Sequence, residues 1–184
     1  MKSRDLSLWT RIKDDLHAAC RIFDVRKSRF HRVSDDKEGD FFVLDTNDWV
    51  NVLAVTKKKE LVLVRQYRFG TEEFSLEPPG GVIEKGETPV HAGQRELQEE
   101  TGFTGKSVKV IGSVFPNSAI MSNRCYFLLV EDVEKTSLTS FDPNEELETV
   151  LVPLTEIKAL VKEEKVTHSL GLTGIFHLLL HLES

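Results

Sequence analysis

The chain has 184 residues, 40% hydrophobic and 29% charged, with eleven phenylalanines, the make-up of one globular domain with a small appendage rather than of a disordered segment. Its formal net charge of −6 excludes nucleic acid as a general partner, because binding a phosphate backbone takes a basic face. No window reaches the roughly 18 apolar residues of a membrane span, and the charged beginning MKSRDLSLWTRIKDD holds no signal-peptide core, so a cytoplasmic protein without membrane attachment is expected.

The first 45 residues read as strand, turn and strand. Residues 21–25 (RIFDV) and 41–44 (FFVL) supply the apolar runs, and residues 34–39 (SDDKEG) the charged turn. A boundary is expected near residue 46. Residues 49–55 (WVNVLAV) and 61–67 (LVLVRQY) are rich in β-branched residues and flank the solvated turn TKKKE, which predicts a hairpin. Phe74 and Leu76 alternate with Ser75 and Glu77 until Pro78-Pro79-Gly80-Gly81 ends the strand and allows a close backbone approach.

Thr88 before Pro89 is a helix start, with a capping hydroxyl and a proline where its missing N–H costs nothing. The helix should run to Thr101, where Gly102 supplies a left-handed C-terminal residue and Phe103 packs back. Strands follow at 108–115, 126–130 and 149–153, the last preceded by the acidic stretch DPNEELE, and helices at about 155–164 and 168–183. Strands flanked by helices around a mixed sheet give an α/β fold. Cys20 and Cys125 are too far apart for a CxxC motif and too few for a disulfide framework, so both read as reduced, packed thiols. The six histidines show no paired-ligand spacing.

The helix after Gly80-Gly81 is unusual in its charge. Glu96 and Glu100 stack on one face with Glu99 beside them, and all three lie in the second half of the helix, where the macrodipole disfavours negative charge. Arg95, four residues before Glu99, can tether it. A solvated acidic face is one reading. The other is a site for hard divalent cations, which take oxygen ligands and couple carboxylates to substrate phosphates; an acidic chain holds a polyanion in that way.

Gly81, five residues, Glu87, seven residues, then Arg95-Glu96-Leu97-Gln98-Glu99-Glu100-Thr101-Gly102-Phe103 resembles the Nudix box at each of its nine defined positions. The likeness extends over residues 46 to 165. It implies an α/β/α sandwich with a mixed sheet over residues 46–184, preceded by a small antiparallel strand region, residues 1–45, that joins a homodimer. It implies hydrolysis dependent on Mg²⁺ or Mn²⁺, with Gly80, Glu96, Glu99 and Glu100 as metal ligands, Glu99 and Glu100 catalytic, and Arg95 orienting the glutamates. Glu87 would support the loop rather than touch metal.

The run Val64-Arg65-Gln66-Tyr67-Arg68, the approach Leu76-Glu77-Pro78-Pro79-Gly80-Gly81 and Pro116 together resemble the ADP-ribose pyrophosphatase and nucleoside diphosphate sugar branch. Arg68 is then the first residue for the diphosphate, since guanidinium binds phosphate bidentately, and Glu77 is a second candidate for substrate binding. Arg65 and Tyr67 rank below it, and Trp49 and Phe30 read as base-stacking or packing residues. Many members of the branch carry a glutamate as general base within a Ser-Glu-Arg-like run, where this chain has Ser122-Asn123-Arg124. Asn cannot accept the proton, so Glu99 or the cluster Glu145, Glu146 and Glu148 must serve, or metal must ionise the water. Dinucleoside polyphosphates, coenzyme A and modified nucleoside triphosphates are the other substrate classes, and a non-hydrolytic nucleotide sensor the other function.

Overall fold

A computed structural model of the chain describes residues 7–141 and 146–183. They divide into two compact units. One combines the N-terminal residues to Asn47 with Phe115–Asn123, and the other holds Asp48–Val114 and the chain from Arg124 onward.

The first unit is a three-stranded antiparallel sheet, β1 (Trp9–Ala19), β2 (Asp24–Arg32) and β3 (Lys37–Asp45), in that order. The turn expected at 34–39 is tighter, at 33–36, and Gly39 lies in β3. The strand expected at 21–25 is mostly the bend between β1 and β2, with Ile22 exposed. The segment 115–123 joins this unit through a parallel bridge between Leu44 and Met121 and a hydrogen bond from the Ser122 hydroxyl to Asp45 Oδ1, 2.8 Å.

In the second unit, β4 (Trp49–Thr56) and β5 (Glu60–Arg68) form the expected hairpin, and β6 (Glu73–Glu77) pairs with β5. The short β7 (Gly80–Val82) pairs with β4. After α1 (Pro89–Thr101) come β8 (Phe103–Thr104), β9 (Ser107–Val114), β10 (Cys125–Lys135) and β11 (Leu147–Pro153). The backbone of the mixed sheet runs β11-β5-β4-β10-β8, with β4 and β10 parallel and β9 antiparallel to β10. A 3₁₀ turn (Leu154–Glu156), α2 (Ile157–Lys162) and α3 (Ser169–Leu182) end the chain.

Strand periodicity explains the layers. Along β4, Val50, Val52 and Ala54 face one way and pack with Ala92 and Leu97 of α1, while Leu53 and Val55 face the other way and pack with Ile157, Ile175 and Leu178 of α2 and α3. Leu128 and Val130 of β10 join the first core, and Phe127 and Leu129 the second. The sheet is thus buried on both faces, as a central α/β sheet must be. No helix among the described residues is long and apolar enough to cross a membrane.

Cys125 is fully buried, and that burial, with Asp48 adding to it, pushes its thiol up to about 12. Cys20 is exposed instead of packed, because it sits in the bend after β1.

Candidate active site

The start and end of α1 follow from the sequence. Thr88 Oγ1 accepts from the His91 N–H at 3.2 Å, Pro89 opens the first turn, and Gly102 is left-handed at φ 74° with its N–H on the Gln98 carbonyl. Gly93 seats the helix on the sheet: a Cβ there would collide with Leu128 and crowd Val52 and Val50. The carboxylates of α1 are therefore carried by a closely packed element.

Arg95 is the hub of these carboxylates. Its Nε and Nη2 donate to Glu87, at 3.1 and 3.2 Å, and Nη1 to Glu96 at 2.8 Å and Glu99 at 3.1 Å. Nη2 also reaches the Val82 carbonyl at 3.1 Å. Glu87 accepts from the Glu84 N–H as well, so it ties the loop before α1 to the helix. This mutual contact holds the Glu87 carboxyl below the usual carboxylate range and the Arg95 guanidinium above its ordinary pKa. Glu99 is the most accessible of the set, its side chain 45% exposed.

Glu100 points inward and is only 4% exposed. Its Oε2 accepts the Gly80 N–H at 2.9 Å, joining the helix to β7. Both glycines are needed there for close approach. A Cβ on Gly80 would strike the Val50 carbonyl, and one on Gly81 would enter the Glu96 carboxylate.

Among the described residues, no three acidic, His or Cys side chains converge closely enough to hold a metal ion. The physical reason is visible: Arg95 takes Glu96 and Glu99, and Gly80 takes one oxygen of Glu100. The donor set nevertheless suits a hard divalent cation. It consists of oxygens only: three carboxylates, Glu87, Glu96 and Glu99, share one guanidinium, Glu100 sits on the Gly80 amide, and the missing side chain of Gly81 leaves room for the Glu96 carboxylate.

Arg68 and Glu77, both expected to bind substrate, are in contact with each other. Nε and Nη2 of Arg68 donate to the two Glu77 oxygens at 2.8 and 2.6 Å. Glu77 is 2% exposed, whereas the Arg68 side chain is 44% exposed. Burial works to raise the Glu77 pKa, but Arg68 and His168 outweigh it and hold the carboxyl at about 2. His168 Nδ1 lies 2.9 Å from Glu77 Oε2, close enough for an ion pair but off the direction of a good hydrogen bond. Sequence reading gave His168 no role. Its place at the start of a helix was legible, but nothing local links it to Glu77.

Other expectations fall outside these contacts. Arg65 lies 4.3 Å over the Phe74 ring and pairs with Glu148 at 3.4 Å. Tyr67 meets Phe69 and Phe74 edge-on, Trp49 packs on the core, and Phe30 sits against Phe41 within the N-terminal sheet. Asn123 is buried and donates to the Asn47 carbonyl at 3.1 Å. Glu146 and Glu148 are exposed, and Glu145 lies outside the described residues. His177 stacks on Phe127, which makes it a packing residue.

A sandwiched mixed sheet carrying a glutamate-rich loop, helix and loop defines a class, and the NUDIX domain model matches residues 46–170; the chain belongs to that family. It is 34% identical over 121 residues to the ADP-ribose pyrophosphatase of Bacillus subtilis, covering 64% of each chain. It is 27% identical over 130 residues to a methanol dehydrogenase activator of Bacillus methanolicus, 70% of each. With the ADP compounds hydrolase NudE of Escherichia coli it shares 28% over 116 residues, 63% of this chain and 62% of that one. The chain thus spans less than two thirds of the length of the first of these relatives. A crystal structure of an ADP compounds hydrolase has the same fold, with a TM-score of 0.87 over 98% of this chain and 97% of that one at 24% identity.

Proposed function

We propose that the chain hydrolyses the pyrophosphate bond of nucleoside diphosphate sugars of the ADP-ribose or GDP-mannose type, releasing a nucleoside monophosphate and a sugar phosphate. The observation that carries this reading is the acidic helix α1 clasped to Gly80-Gly81, with Glu96, Glu99 and Glu100 gathered around one arginine and one backbone amide. Similarity to relatives named for ADP-ribose and ADP sugars supports the substrate class.

Glu96, Glu99, Glu100 and the Gly80 carbonyl would hold Mg²⁺ or Mn²⁺. When bound, the ion polarises phosphoryl oxygens and lowers the pKa of its water. Arg95 keeps the carboxylates apart and oriented. Glu99, the most exposed of these carboxylates, would orient the attacking water or take its proton. Arg68, fixed along one edge by Glu77, presents its charge to the diphosphate.

The active form is a homodimer joined through the N-terminal sheet. Trp9, Ile12, Leu16, Phe41 and Phe42 are each 41% exposed or more, and a three-stranded sheet that bares such residues gains by burying them.

The test incubates the purified chain with Mg²⁺ and ADP-ribose, GDP-mannose and other nucleotide sugars, with nucleoside monophosphate followed by anion-exchange chromatography. Release that stops with EDTA is expected. Glu100→Gln should lower the rate by at least about 10²–10³-fold while the protein stays folded, because the amide oxygen still accepts the Gly80 N–H. Near-wild-type turnover in a folded variant would remove Glu100 from the site. Turnover confined to dinucleoside polyphosphates, coenzyme A or modified triphosphates would overturn the substrate class, and tight nucleotide binding without any turnover would make the chain a sensor.

A further inference from the structure

Helix α3 begins at His168, which occupies the N-cap position with extended backbone, φ −69° and ψ 121°, yet its side chain makes no capping hydrogen bond. A side chain at that position ordinarily turns back to the free amides of the first turn. This one instead reaches Glu77, with Nδ1 2.9 Å from Oε2 and out of contact with solvent. The approach is held by backbone packing as well. Gly171, one turn on, lies so close to Pro78 that an added Cβ would stand 3.2 Å from the proline Cδ.

Glu77 is therefore met from two sides, by hydrogen bonds from Arg68 and by a close, off-line contact from His168. Its two oxygens take the Nε and Nη2 edge of Arg68 in a fork that fixes the plane of both groups. Arg68 and Glu77 already balance in charge, so the imidazole is not required for neutrality. What it adds is a second, rigidly mounted contact on the oxygen that carries the shorter of the two arginine bonds.

We infer that His168 is a positioning residue for substrate binding: it fixes the buried Glu77 carboxylate, and Glu77 in turn fixes the direction in which Arg68 meets the diphosphate. This rests on the reading above that Arg68 contacts the diphosphate. It adds a residue from the opposite end of the domain sequence, outside the acidic helix and its loops. A planar guanidinium rewards such control, because its bidentate contacts with phosphate oxygens are directional.

The experiment uses the full chain, with ADP as the probe in calorimetric titration and ADP-ribose as the substrate. His168→Ser keeps a capping hydroxyl but cannot span to Glu77, whereas His168→Asn also suits the cap and places an amide nitrogen where Nδ1 stands. The serine variant is expected to bind ADP about tenfold more weakly and to raise KM by a similar factor with kcat within about twofold. Its melting temperature should stay within about 2 °C of wild type. The asparagine variant should recover affinity to within about twofold. Unchanged affinity in His168→Ser, equal weakening in both variants, or a fall in kcat at constant KM would each overturn the assignment. If wild type binds ADP but cleaves no nucleotide sugar, the functional reading fails and the affinities alone decide the role of His168; a wild type without affinity for ADP overturns both.

Discussion

Glu77 shows how much a single buried charge asks of its surroundings. An ionised carboxylate that is 2% exposed persists only with partners that outweigh desolvation, and here those are Arg68 and His168. Arg68→Ala removes the larger of them and should destabilise the fold by about 3 kcal/mol at neutral pH. The pH dependence follows from the direction of the shift. In wild type the folded pKa, about 2, lies below the ordinary value of 4.5, so the contribution is complete above 4.5 and drains away as pH falls toward 2. In Arg68→Ala the burial that opposes ionisation loses its largest counterweight, so the carboxyl should protonate at a higher pH than in wild type and relieve the buried charge. Urea denaturation should therefore show the gap between the proteins widest above pH 5 and narrowing toward pH 3; a constant gap would mean that Arg68 acts through packing alone. The contact itself was half legible: Arg68 and Glu77 stand in one hairpin, but His168 comes to them only through the folding of the whole domain.

At the scale of elements, α1 was readable to its last residue, because both of its ends carry local signals and its charge pattern is set by chemistry. Strand β1 was not. Eleven residues long, it buries no face, so no alternation of apolar and polar residues is imposed on it, and register shifts at Arg11/Lys13 and Leu16/Ala18 interrupt any that existed. Residues 21–25 misled for the related reason that an apolar run on an exposed bend looks like a strand. The legible end of α1 is also testable. Gly102→Ala forces a left-handed residue with a side chain and drives its Cβ into the Ser137 carbonyl, at an expected cost of about 1–3 kcal/mol in chemical denaturation. The helix turn that frays would be the one bearing Glu99 and Glu100, so activity should fall more than stability does. A variant as stable and active as wild type would show that the loop relaxes freely.

Across the whole molecule, the α/β sandwich was legible because period-2 burial on β4 and β10 alternates between two cores. The division into units was less so. The boundary was expected near residue 46; the described residues part after Asn47, Phe115–Asn123 lies with the N-terminal strands, and a long-range pairing such as Leu44 with Met121 leaves no mark in local sequence. Asn123, which stands out against the expected glutamate, belongs to this unit. The different fates of the two cysteines give the molecule a built-in chemical handle. With the Cys125 thiol sealed and held at about 12 and Cys20 open to solvent, a thiol reagent should modify one sulfur per native chain and two after unfolding. A fluorophore placed on Cys20 would then watch two chains meet through energy transfer, without any engineered residue and with every carboxylate of the acidic helix left untouched.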